Sequence, residues 1–245
     1  MTKAAVTITD LTRMQGERVC VAGYTERGQC VRLGFPTGGP TEAWLRLDAQ
    51  RVIRPFSVVD LDLLWPTPEP PHTEDWVIDP ECRALRGLLP ASQQEALLKR
   101  LDDGSAESIF GAEIRQGPGF YVLAGQGERS LGTVRPGRLD EVHCFQRDGG
   151  RWDYRLGFTD QAGRRYDLAV VDLAFRCFLN CLRRKRGYSG EQAARRLTSV
   201  LSRARLYLRL GLARRWAKYP DRCYLQITGV YSFPDYLGGR CFADF

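Results

Sequence analysis

Residues 205–212 read Arg205-Leu206-Tyr207-Leu208-Arg209-Leu210-Gly211-Leu212, and this alternation decides the fold class. Successive side chains of a strand point to opposite faces. Leu206, Leu208, Leu210 and Leu212 therefore share one face, which predicts a core, and Arg205, Tyr207 and Arg209 share the other, which is expected to meet solvent or a ligand. The run Cys223 to Tyr231 repeats the pattern, with Cys223, Leu225 and Ile227 on one side and Tyr224, Gln226 and Thr228 on the other. Arg214, Arg215, Trp216, Lys218 and Tyr219 lie between the two runs, and Tyr231, Phe233 and Tyr236 gather around Pro234.

Upstream, Val142-His143-Cys144-Phe145 reads as a strand that ends at the Gly149-Gly150 turn. Trp152, Tyr154, Leu156 and Phe158 then alternate with charged residues, Gln161-Ala162-Gly163 turns the chain, and Tyr166 to Asp172 makes a third strand. Two helices follow. One spans Leu173 to Arg186, and the other begins at Ser189, where Gln192 completes a capping box and Leu197, Val200 and Leu201 form the apolar stripe. Three strands, a helical insertion and two closing strands is the order of an OB-fold barrel.

The region from about residue 5 to 65 also reads as β. Val19 and Val21 alternate with polar neighbours until Gly23-Tyr24 breaks the run, and Thr25 to Gly28 turn into Val31, Leu33 and Phe35. Trp44 to Leu47 and Val58 to Leu63 read as further strands. The five prolines between Trp65 and Cys82 predict an extended connector. A short helix is expected near Pro80, and a second from Ser92, its N-cap, to Leu101. The glycine-rich stretch after it reads as loops around short strands such as Phe120 to Leu123. Cys20 to Phe35 and Trp152 to Val170 are both hairpins with glycine-bearing turns, a weak sign of duplication. The expected organisation is a mainly β chain with helical insertions: a first OB-like barrel with its connector over 1–79, a helical and loop linker over 80–137, and a second, basic OB-like barrel over 138–245.

Hydrophobic residues make up 43% of the 245 and charged residues 27%, the balance of a folded chain rather than a disordered one. No apolar run approaches the roughly 18 to 20 residues of a membrane span, and the N-terminal stretch lacks a signal-peptide pattern. With eight scattered cysteines and no secretion signal, buried free thiols in a reduced cytoplasmic protein are expected. The net charge of +7 is unevenly divided. Residues 1–130 carry 14 Lys plus Arg against 18 Asp plus Glu, and residues 131–245 carry 22 against 11, of which 20 are Arg. Arginine presents a planar fork of donors and a face that stacks on bases, so the basic half points to phosphate and nucleobase partners.

Rings and guanidinium groups interleaved on one face of a small barrel suit single-stranded nucleic acid, because every base has a face to stack and the cations follow the phosphates. The residues expected to carry this are Arg205, Tyr207, Arg209, Arg214, Arg215, Trp216, Lys218, Tyr224 and Gln226. A plainer reading of the same positions is the solvated side of a sheet. Arg183, Arg184, Lys185 and Arg186 end a helix, where the dipole alone favours cations, and they are candidates for a further phosphate contact.

Several segments resemble a known family. PFSVVDLDLL (Pro55 to Leu64), PHTEDWVID (Pro71 to Asp79), RSLGTVRPGRL (Arg129 to Leu139), DLAVVDLAFR (Asp167 to Arg176), LYLRLGLARRW (Leu206 to Trp216) and the tail from Cys223 to Phe245 are similar to the dual OB-containing domain proteins of bacteria. The resemblance runs from about Ile8 to the last residue. It implies two OB folds in tandem and a nucleic-acid binder, sensor or accessory subunit beside effector proteins of bacterial defence systems. It implies no catalytic residues.

No phosphate-binding glycine loop, dinucleotide fingerprint, zinc-protease motif or nucleophile elbow stands in the sequence, so neither an enzymatic activity nor a cofactor is expected. Cys177 and Cys181, one helical turn apart among Phe178, Leu179 and Leu182, read as buried thiols rather than metal ligands. His143, in a strand beside Cys144, reads as structural. The enzymatic alternative is a metal-dependent nuclease using His72, Glu74, Asp75 and Asp79, set against their simpler use in capping turns at a distance from the basic face. A third alternative is an adaptor subunit. In it the Arg-rich face would meet an acidic protein and no nucleic acid, whereas in the nucleic-acid reading the near-neutral to acidic first barrel is the part expected to dock an effector protein.

Overall fold

The computed structural model describes residues 2–245. Five strands form a closed barrel: β1 (Thr2–Arg13), β2 (Val19–Thr25), β3 (Cys30–Gly34), β4 (Ser57–Pro66) and β5 (Asp75–Leu88), in the order β1-β2-β3-β5-β4. Gly23 does not break β2 as expected. It is needed where β1 bulges between Ile8 and Asp10, because a Cβ there would run into the Thr7 carbonyl.

From Asp75 on, the stretch expected to be a connector and a short helix near Pro80 is strand β5. It pairs in parallel with β3 and antiparallel with β4. The prolines do not prevent this. Pro68, Pro70 and Pro71 sit in the turn before β5, and Pro80 falls where the β4 register slips between Ile78 and Arg83, so no ladder N–H is lost. Trp44 to Leu47 is a turn rather than a strand. Its apolar residues plug the barrel, with Trp44 and Leu45 in the core and the Trp44 Nε1–H donating to the Pro80 carbonyl at 2.9 Å.

Helix α1 (Ala91–Arg100) starts one residue before the predicted cap, with Pro90 at its N-cap and no side-chain cap, so Ser92 lies inside it. The short α2 (Ala106–Phe110) follows. The segment expected to be a linker supplies three strands, β6 (Arg115–Gln116), β7 (Phe120–Leu123) and β8 (Leu131–Val134), all joined to the second sheet. That sheet continues with β9 (Arg138–Gln146), β10 (Trp152–Thr159) and β11 (Arg165–Val170). Helices α3 (Leu173–Arg186) and α4 (Gly190–Leu201) come next, then β12 (Arg205–Leu212), β13 (Arg222–Phe233) and a 3-10 turn (Phe242–Asp244). Asp172 caps α3, and the predicted capping box of Ser189 and Gln192 opens α4.

The two halves share one wiring. In the first, β3 runs parallel to β5; in the second, β11 runs parallel to β13, and each parallel pair follows a β2–β3-type hairpin. The first half closes through β1 on β4. The second stays a curled sheet, because β8 takes the free edge of β12. The fold is mostly β, with two OB-like units.

The halves are not separate bodies on a linker. The core of the first barrel takes in Leu173 and Ala174 from α3 and Phe242 from the 3-10 turn. A smaller cluster of Phe56, Leu97, Leu98, Tyr207, Tyr231 and Phe233 joins the barrel, α1 and the β12–β13 hairpin.

Candidate nucleic-acid interface

The four leucines of β12 fill the second core, as their alternation predicts. The opposite face does not meet solvent along its length. Arg205 is exposed and paired with Glu95, but Tyr207 is 3% exposed, packed with Phe56, Leu97, Leu98 and Phe233, and Arg209 is fully buried against Asp10 and Tyr24 of the first barrel. Arg209 donates through Nε to both Asp10 carboxylate oxygens at 3.2 and 3.0 Å, and through Nη1 to the Tyr24 hydroxyl and to Thr133. Thr228 of β13 closes on Asp10 at 2.5 Å, so it too faces the first barrel. Tyr207, Arg209 and Thr228 thus hold the two halves together and are withdrawn from any ligand.

Beyond Leu212 the hairpin leaves the barrel interface. Arg214, Arg215 and Lys218 are exposed, and Trp216 is 57% exposed. The rings form a ladder across the hairpin onto β7. Trp216 meets Tyr219 at 5.9 Å between centroids, Tyr219 meets Tyr224 at 6.0 Å, and Tyr224 meets Tyr121 at 5.8 Å. Cations interleave with them, Lys218 over Trp216 and Tyr219, and Arg222 over Tyr219 and Tyr121. Edge-to-face packing holds the rings in place; Trp216 is exposed, and Tyr219, Tyr224 and Tyr121 are half-buried. Tyr121, Tyr219 and Arg222 were not among the sequence candidates. Tyr121 lies about a hundred residues away, and only the pairing of β7 with β13 brings it in.

The α3 cations are a separate feature. Arg183 lies over the Trp152 ring and donates to Asn180, while Arg184, Lys185 and Arg186 are exposed on the last turn before Gly187. Gln226 is half-buried and lines a cleft between the halves.

The residues weighed as a nuclease centre are struts. Glu74 accepts from the Ser130 and Leu131 amides and the Ser130 hydroxyl. Asp75 pairs with Arg32 and Arg214, and Asp79 accepts from the Glu81 amide. His72 Nδ1 faces Arg32 Nη1 at 3.0 Å. Because a guanidinium only donates, Nδ1 is the acceptor and the imidazole proton sits on Nε2. Burial, then Arg32, Arg214 and Arg215, pushes the His72 pKa down to about 3. A neutral histidine ringed by guanidinium groups is poor company for a dication, and among the described residues no group of three or more His, Cys, Asp or Glu is placed to hold a metal. The position expected for these residues also needs correcting. They do not lie away from the basic face, since Asp75 carries Arg214 and Glu69 carries Arg215 at the foot of the hairpin.

Two OB-like units, one with an open ladder of rings and cations on the hairpin between its last two strands, define a tandem OB-fold protein of the kind that binds nucleic acid or protein. The family of dual OB-containing domains matches residues 7–230, and the chain belongs to that family. No curated protein matches the sequence. No helix among the described residues is long and apolar enough to cross a membrane.

Proposed function

We propose that the protein binds single-stranded DNA or RNA along the β12–β13 hairpin, with bases stacking on Trp216, Tyr219, Tyr224 and Tyr121 and phosphates held by Arg214, Arg215, Lys218 and Arg222. The observation that carries this reading is the ring ladder, led by the exposed Trp216, with its interleaved cations. It occupies the loop between the fourth and fifth barrel strands, one of the two loops with which OB folds grip oligonucleotides. Stacking of this kind tolerates any base, so a single strand of mixed sequence is the expected ligand. Arg184, Lys185 and Arg186 would add phosphate contacts on longer strands. The family resemblance supports a role as sensor or accessory subunit in a bacterial defence system, and the free cysteines support a reduced, cytoplasmic setting.

Fluorescence anisotropy with labelled single-stranded DNA, single-stranded RNA and duplex, from low to physiological salt, tests the proposal. Single strands should bind in a salt-dependent way, and Trp216→Ala should weaken them. Absence of single-strand binding at low salt would turn the hairpin into a protein-docking surface.

A further inference from the structure

Where the two halves meet beside the hairpin they leave a cleft of about 410 Å³. Clefts of this size at the junction of two units are where small ligands are usually held. One wall is the first barrel, with Arg13 and Arg18 at its mouth and Arg32 deeper in. The other is the second sheet, with Leu131, Leu212, Arg214 and Gln226.

The lining carries four arginines, Arg13, Arg18, Arg32 and Arg214, against a single carboxylate, Asp10. That carboxylate is already engaged by Arg209, Thr228 and the Thr9 hydroxyl. Arg13 is paired with Glu42, and Arg32 and Arg214 share Asp75. Among the described residues Arg18 has no ion-pair partner. Arg32 is 8% exposed, and its Nε donor finds no acceptor in the protein. A buried donor without a partner is a cost that the protein itself leaves uncompensated, and Arg18, exposed and unpaired among the described residues, is the cation free to meet an entering phosphate. The remaining lining suits a base and a sugar. Leu33, Leu131 and Leu212 give an aliphatic surface, Gln226 offers an amide, and Gly38-Gly39 presents bare backbone at the mouth.

We infer that this cleft takes one nucleoside phosphate, its phosphate on the arginines and its base against the aliphatic wall. The nucleotide is either free or the terminal nucleotide of a bound strand. The second form rests on the hairpin reading above, and Ala213 and Arg214 link the two places, being at once the foot of the hairpin and the wall of the cleft.

Isothermal titration calorimetry with nucleoside 5′-monophosphates, the matching nucleosides and inorganic phosphate tests the free form. Anisotropy with oligonucleotides carrying or lacking a 5′- or 3′-phosphate tests the terminal form. The variants are Arg18→Ala, at an exposed position, and Gly39→Glu, which places a carboxylate at the mouth where a new side chain meets no atom within 4 Å. Either a monophosphate binding at least tenfold more tightly than its nucleoside and than inorganic phosphate, or a phosphate-ended strand binding at least tenfold more tightly than its hydroxyl-ended form, supports the inference if both variants abolish the difference. Absence of both differences, or differences that survive both variants, overturns it. Strand binding with neither difference would overturn the cleft and leave the hairpin standing. Mononucleotide binding without strand binding would do the reverse.

Discussion

Arg209, on the second sheet, and Asp10, on the first barrel, form an ion pair with side chains 0% and 1% exposed, 199 positions apart in the chain. Around it the Thr9 and Thr228 hydroxyls donate to Asp10, and the Tyr24 and Thr133 hydroxyls accept from Arg209 Nη1. A pair so placed is expensive to break from one side, because the survivor is a charge without a partner and out of reach of water. Asp10→Ala should cost about 3–5 kcal/mol of unfolding free energy in urea titration. The paired change Asp10→Leu with Arg209→Met should cost clearly less than the two single changes added together. Additive losses would mean that the two side chains act independently.

Trp216 is the opposite case, an aromatic ring that the fold does not need. Trp216→Ala should leave the unfolding midpoint nearly unchanged, within about 0.5 kcal/mol. It should weaken single-strand binding by ~1–3 kcal/mol, the usual worth of one base–ring stack. Equal affinity in the variant and the native protein, measured by anisotropy, would remove Trp216 from the interface.

Salt gives an independent reading of the cations. For a single strand the logarithm of the binding constant falls with that of salt by about 0.7 for each phosphate neutralised. Lys218→Ala should therefore lower the slope by about that amount. An unchanged slope would place Lys218 off the phosphate path.

His72 predicts how stability responds to acid. Its folded pKa, pushed down to about 3 by burial and then by Arg32, Arg214 and Arg215, lies below the ordinary value of 6.5. Between those limits the unfolded chain holds a proton that the folded chain does not, so stability is full above about pH 6.5 and is lost as pH falls toward 3. The His72 contribution to the slope is at most about 1.4 kcal/mol per pH unit. His72→Gln should flatten the decline of urea-measured stability over pH 6.5 to 4.5. Equal slopes in the two proteins would show that His72 does not titrate this way.

Local rules made part of this molecule legible. Strand 205–212 and the bounds of α3 follow from alternation and helical periodicity, and the Ser189–Gln192 box from capping chemistry. Other features depended on contacts far apart in sequence. Alternation assigns Arg209 to the face opposite the leucines but does not say what covers that face, and here another barrel does. The prolines near residue 70 argued against a strand, yet they occupy the turn and leave β5 its ladder. Tyr121 carries no local mark, and only its pairing with Tyr224 places it in the ring ladder.

All five strands of the first barrel have been laid down by Leu88, yet its interior is finished by Leu173, Ala174 and Phe242. During synthesis that barrel must therefore wait, its apolar floor uncovered, until the ribosome has delivered nearly the whole second half. A nascent chain stalled anywhere before Phe242 carries an incomplete first barrel. The order of manufacture, N-terminal half first, is thus not the order of completion: the interior of the first barrel closes only when the segment around Phe242 docks.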